Sequence, residues 1–254
     1  MSKIFDALRK AEREKERGRG EERPREAVDA GAADREEMVV RGIGENFRRS
    51  LLSLRNSIDS EMKQKNSRIV MFTSAVSGEG KTTIVAYLAR MLASSGSEKV
   101  LLVDCSVLHP QLHDLFGQSN DAGLVDYLSG GVEINAIVKP IEAGVFDLVT
   151  VGTSRRDDVT QPFFNSERMR LFCKQAGERY DYVLVDTSAI LEAPETSIIG
   201  SYMDGVVLVI YAGRTKREVL KRAMGMVEKL DGKFIGSVLN KKKYYIPEFI
   251  YRRV

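Results

Sequence analysis

The chain has few of the residues that staple or span. Only two cysteines occur in 254 residues, Cys105 and Cys173, far apart and each set in apolar, regular-looking sequence. That excludes a disulfide framework, and both read as free thiols of a reducing compartment. No run of about 18 or more apolar residues is present, which argues against a membrane-spanning helix. The opening MSKIFDALRKAEREKERGRG is charged throughout and lacks a signal-peptide core, so a cytoplasmic location is expected. Charge of one sign is scarce too. With 39 Lys and Arg against 36 Asp and Glu, the net +3 is too small and too mixed to suggest nucleic acid as a partner. Cys105, His109 and His113 are spaced four apart, as a helical metal face would be, but Pro110 interrupts that helix. They read as a strand-end thiol followed by two loop imidazoles.

What remains is the composition of one α/β domain with extra segments: 43% hydrophobic and 30% charged residues. Residues 1–40 divide into a short stripe of Ile4, Phe5, Leu8 and Ala11, suited to docking, and a polar linker from Gly18 to about Glu37. From Ile43 to Lys65, Phe47, Leu51, Leu54 and Ile58 recur at spacings of three and four, which predicts a helix laid on the core. Apolar runs then alternate with helical patterns: RIVMFTS, a helix from Lys81, KVLLVDC, FDLVTV, a helix near Arg168, YDYVLVD, GVVLVIYA, a helix from Thr215, and FIGSVLN. Buried strands separated by crossover helices predict an α/β fold with a mostly parallel, doubly wound sheet, preceded by a helical extension. The expected divisions are 1–40, a core domain at 41–240, and a basic tail at 241–254.

One motif carries chemistry by itself. The strand ending at Thr73 runs into Ser74-Ala75-Val76-Ser77-Gly78-Glu79-Gly80-Lys81-Thr82-Thr83, and a helix follows at once. This is the P-loop order. Gly78 and Gly80 let backbone N–H groups of Ser77–Thr83 turn toward phosphate oxygens at a helix N-terminus. Lys81 would bridge the terminal phosphates of ATP, and Thr82 would offer its hydroxyl to Mg2+. Two strands close in an acid, Asp104 and Asp186. Either alone reads as a turn or cap residue; beside a P-loop they become candidates for holding metal, with Asp186 in the Walker B place. The tail after Asn240 mixes Lys241, Lys242, Lys243, Arg252 and Arg253 with Tyr244, Tyr245 and Tyr251. That mixture also suits an aromatic flap or a segment touching anionic lipid.

Residues 45 to 240 resemble the bacterial tyrosine kinases of capsule and exopolysaccharide synthesis, the stand-alone cytoplasmic type. The resemblance rests on the P-loop, Val100–Asp104, Pro110–His113, Phe116-Gly117, Gly123–Gly130, Tyr180–Thr187, Asp204–Val209 and Gly236–Asn240, all in one order. No extra lysine stands at Ser74–Ser77, unlike in the related partitioning ATPases. The resemblance implies phosphoryl transfer from MgATP to tail tyrosines, here Tyr244, Tyr245 and Tyr251, with Lys81, Asp104 and Asp186 as catalytic residues. It implies Asn240 among the nucleotide contacts and a homo-oligomer contacted through Glu45, Arg48 and Arg55, Leu51 standing where a second arginine is expected. It also implies a membrane-bound polysaccharide co-polymerase as partner. Ser106 and Leu108 replace an expected Asp and Arg, Ser188-Ala189 an expected Pro-Pro, and Arg155–Asp158 an Asn-Pro-rich loop. Ser106 and Leu108 motivate one rival, a nucleotide-gated scaffold that phosphorylates nothing, and the basic aromatic tail another, a positional ATPase that dimerises on membranes with that tail as its lipid contact.

Overall fold

A computed structural model of the protein describes residues 44–142, 145–153, 164–230 and 234–242. The expectations for 1–40, for Arg155–Asp158 and for Tyr244, Tyr245 and Tyr251 lie outside the described residues.

In chain order the elements are α1 Glu45–Glu61, β1 Arg68–Ser74, α2 Lys81–Ala93, β2 Val100–Cys105, α3 Leu112–Leu115, α4 Leu124–Leu128, α5 Ile134–Ile137 and β3 Val138–Ile141. They continue with β4 Phe146–Val149, α6 Glu167–Arg179, β5 Tyr182–Thr187, α7 Pro194–Ser201, β6 Gly205–Tyr211, α8 Arg217–Val227 and β7 Phe234–Asn240. The strands form one sheet in the order β3-β4-β2-β5-β1-β6-β7. All pairings are parallel except β3 with β4. β2 and β5 are buried at every position, as continuous apolar runs in a sheet covered on both faces must be. The edges differ. β7 alternates exposed and half-buried residues, and β3 carries Pro140, whose missing N–H is tolerated at an edge.

Side-chain alternation sorts the strands into two cores. Ile69, Met71, Leu101, Val103, Val183 and Val185 pack with the faces of α4, α6, α7 and α8. Val70, Phe72, Leu102, Leu184, Val207 and Val209 meet α2 and the apolar stripe of α1. In α1, Leu51 and Ile58 are fully covered while Phe47 and Leu54 pack at the rim, so the expected stripe is the one used. Each fully buried aliphatic side chain contributes about 2 kcal/mol, which fixes α1 to the domain without any cap at its N-terminus.

The antiparallel β3 and the short helices α3, α4 and α5 are absent from the sequence-based expectation. None of these is longer than 5 residues, too short for a periodicity to show, and the 8-residue α7 was not expected either. His113 accordingly sits in α3, in a helical turn and not in a loop.

Candidate functional site

The strand order places β1 between β5 and β6, so the loop leaving β1 emerges between two neighbouring strand ends. Ligands of parallel sheets collect there. Gly80 is the N-cap of α2 with φ 93°, and Gly78 has φ 79°, both in the left-handed region that glycine enters at little cost. At Gly80 a side chain is excluded twice over, because a Cβ would stand 2.2 Å from Asn240 Nδ2.

The loop is held from below by Glu79. Its buried carboxylate accepts hydrogen bonds from Ala75 N at 2.8 Å, Val76 N at 3.2 Å and Tyr211 N at 3.0 Å, and from the Thr215 hydroxyl. The Glu79 side chain is therefore an internal strut, and only its backbone faces a ligand. Asn240 Nδ2 donates to the Glu79 carbonyl at 2.8 Å, and Lys241 Nζ donates to the Gly78 carbonyl at 3.0 Å. From the other side, Ser77 donates its N–H at 3.0 Å, and its hydroxyl, to the Glu192 carboxylate. Partial burial pushes the Glu192 carboxyl up, but the Ser77 bonds and nearby Lys81 pull it below its ordinary value, so it stays ionised.

Lys81 is nearly buried, and Nζ donates to Ser74 Oγ at 3.0 Å. Burial lowers its pKa, opposed by Asp186, Glu79 and Glu192. Thr82 Oγ1 donates to Asp186 Oδ2 at 2.6 Å, whereas Asp186 Oδ1 is buried with no hydrogen-bond partner. A bare carboxylate oxygen beside a hydroxyl, at the mouth of a phosphate loop, fits the donor set of a hard divalent cation with phosphate and water as its other ligands. Asp104 lies directly opposite Asp186 on the adjacent strand. Burial raises both carboxyls, and Asp104's charge adds to the rise at Asp186.

Asp104 is otherwise placed than Asp186. Oδ1 accepts from Ser106 N at 2.9 Å, and Oδ2 from Gln111 N at 3.2 Å and Leu112 N at 3.1 Å. It thereby folds the segment after β2 into a wall facing the P-loop. The cleft between them holds about 290 Å3, lined by Ser77, Gly78, Gly80, Lys81, Thr82 and Thr83 on one side and Ser106, Leu108, His109 and Gln111 on the other, with Ser188 and Lys241. Among the described residues, no group of three or more His, Cys, Asp or Glu side chains could form a metal cage by itself.

The structure thus brings Ser77, Gly78, Gly80, Lys81, Thr82, Thr83 and Asp186 to one place, with Asp104 one strand further on. Asn240 clamps the loop from outside the cleft lining. Lys241, Glu192, Ser188 and Gln111 join the site without having been anticipated. Glu192 meets Ser77 across 115 residues, a distance no local pattern reveals. Lys241 lay inside the basic tail but carried only that general signal.

The expected oligomer residues all lie on α1. Glu45 pairs with Arg49 one turn along α1, and Arg48 is exposed. Arg55, expected to face a neighbouring subunit, pairs within the chain with Glu98 and with Asp59 at 3.6 Å. Its side of α1 faces the α2–β2 connection, which supplies the Glu98 carboxylate. Among the described residues, no helix is long and apolar enough to cross a membrane.

Sheet order, loop and paired strand-end acids define a P-loop nucleotide-binding protein, and residues 70–246 match the CobQ/CobB/MinD/ParA nucleotide binding domain. The chain is 31% identical over 191 residues to tyrosine-protein kinase YwqD of Bacillus subtilis (strain 168), covering 75% of this chain and 79% of that one. It is 30% identical over 188 residues, 74% of its length, to tyrosine-protein kinase etk of Escherichia coli (strain K12), of which it spans only 26%. The solved kinase domain of Escherichia coli tyrosine kinase ETK superposes with a TM-score of 0.68 at 27% identity, over 77% of both chains. The chain belongs to the bacterial tyrosine kinases within this nucleotide-binding family.

Proposed function

We propose that the chain is an ATP-dependent protein tyrosine kinase that phosphorylates Tyr244, Tyr245 and Tyr251 of its own tail and so regulates exopolysaccharide or capsule synthesis and export. The observation that carries this reading is the unpartnered Oδ1 of Asp186 beside Thr82 and Lys81, at a loop built to receive phosphate.

MgATP, when bound, supplies the phosphoryl group and the metal charge that neutralises it in transfer. The backbone N–H groups of Gly78–Thr83 and the N-terminus of α2 orient the polyphosphate. Lys81 exchanges Ser74 Oγ for phosphate and adds a positive charge in a nearly dry setting, where charge acts strongly. Thr82 and Asp186 would hold the metal. Asp104 keeps the facing wall in place through three backbone N–H bonds and, paired in register with Asp186, would help hold the metal or take the tyrosine's proton. In phosphoryl transfer, positioning and charge compensation do most of the catalytic work, so this set suffices in kind.

The remaining parts of the reading follow family membership. They are a homo-oligomer that brings one tail to a neighbour's cleft through Glu45 and Arg48, a membrane-bound co-polymerase whose cytoplasmic segment recruits the chain, and a cytoplasmic location at the inner membrane face. Purified full-length protein incubated with MgATP gains phosphotyrosine on the tail. Binding of ATP that Lys81→Ala abolishes, with no phosphotyrosine formed even when the partner segment is added, would establish the scaffold reading in its place.

A further inference from the structure

Lys241 is placed unlike any other lysine in the described residues. Its backbone has φ 55°, a left-handed conformation shared among described non-glycine residues only with Glu142. Such outliers persist where surrounding contacts impose them and gather at functional sites. The side chain, exposed at the surface, folds back over the P-loop. Its ammonium lies 3.0 Å from the Gly78 carbonyl and 4.9 Å from the centre of the Tyr211 ring. Ordering a lysine side chain has a large entropic cost, so the position is set by these contacts. A single carbonyl engages one of the three ammonium donors. Meanwhile Lys241 lines the cleft, and the opposite wall of Ser106, Leu108, His109 and Gln111 carries no fixed positive charge.

We propose that Lys241 is a second polyphosphate-binding cation of the nucleotide site, exchanging the Gly78 carbonyl for a phosphate oxygen when nucleotide enters. This rests on the kinase reading above and adds to it a ligand and a link. Asn240 keeps its bond to the Glu79 carbonyl, so the backbone stays anchored while the adjacent side chain moves to phosphate. The tail with Tyr244, Tyr245 and Tyr251 continues in sequence from this residue, so the link to it is one of chain connectivity.

Calorimetric titration of the full-length chain with ATP, at low and at physiological salt, tests this. Lys241→Gln and Lys241→Gly should each weaken binding about tenfold and flatten its salt dependence, as loss of one charge-assisted contact does. Lys241→Arg should stay within about threefold of the parent, since it keeps the charge. Lys241→Gly should also melt no lower than the parent, because glycine adopts the left-handed backbone freely, which separates lost binding from lost folding. If the Gln and Gly variants bind ATP like the parent, with unchanged salt dependence, while Lys81→Ala does not bind, Lys241 is only a strut and the kinase reading survives. If the parent itself binds no ATP, both readings fall.

Discussion

The two walls of the cleft are built on different principles. The P-loop wall is tied to its surroundings from three directions: by Glu79 to Tyr211 and Thr215, by Asn240 and Lys241 to the end of β7, and by Ser77 to Glu192. The facing wall depends mainly on one carboxylate, that of Asp104, with three backbone N–H groups, and presents the half-exposed Leu108 to the ligand space. A rigid loop with a full set of donors binds phosphate by preorganisation. A wall held at one point, with little charge of its own, is where the acceptor has to be accommodated. The difference teaches that nucleotide binding and phosphoryl transfer are separable in this chain.

Removing the strut should break the contrast most. Glu79→Ala leaves one buried and three part-buried donors without their acceptor, and is expected to cost about 3 kcal/mol, or roughly 6–12 °C in Tm for a chain of this size. Thermal melts and ATP titration should both fall, making the loop wall as weakly held as the other.

Asp186→Asn should divide stability from binding. A carboxyl raised in the folded chain favours folding less as pH climbs from the ordinary carboxylate range to its folded value, so apo stability declines across that window. The amide removes the like-charge burial against Asp104, and the apo Tm near neutral pH should rise by roughly 2–4 °C, equivalent to about 1 kcal/mol. Mg2+-dependent ATP affinity should drop about 10–100-fold. A variant that melts lower and binds MgATP normally would show that Asp186 is structural.

The smallest effect is expected at Glu192. Its carboxylate engages the N–H and hydroxyl of Ser77, donors that also face an arriving phosphate, so the two anions compete. Glu192→Gln should strengthen ATP binding about two- to threefold at low salt, with little left at high salt. Weaker binding would mean that Glu192 supports the loop and does not oppose the ligand.

Much of this was legible in the residues. Strands with continuous apolar runs, such as Val100–Cys105 and Tyr182–Thr187, announce burial on both faces, and the order strand, Gly-Lys-Thr, helix announces the phosphate loop. The stripe of α1 was readable because 17 residues give a periodicity room to show. The antiparallel β3 was not, since four residues including a proline resemble a loop. Contacts decided by tertiary proximity were hidden for the same reason: Glu192 to Ser77, Arg55 to Glu98, and Lys241 to Gly78 join distant segments. The inward turn of Glu79 was hidden too, because only the folded loop shows which way a side chain in the motif points.

The central claim is that this cleft transfers phosphate to the tail that begins at Lys241. Mass spectrometry of the full-length chain after incubation with MgATP tests it most directly. The account predicts phosphate on Tyr244, Tyr245 or Tyr251, absent from Lys81→Ala; an unmodified tail on protein that demonstrably binds MgATP, with its partner segment present, would contradict it.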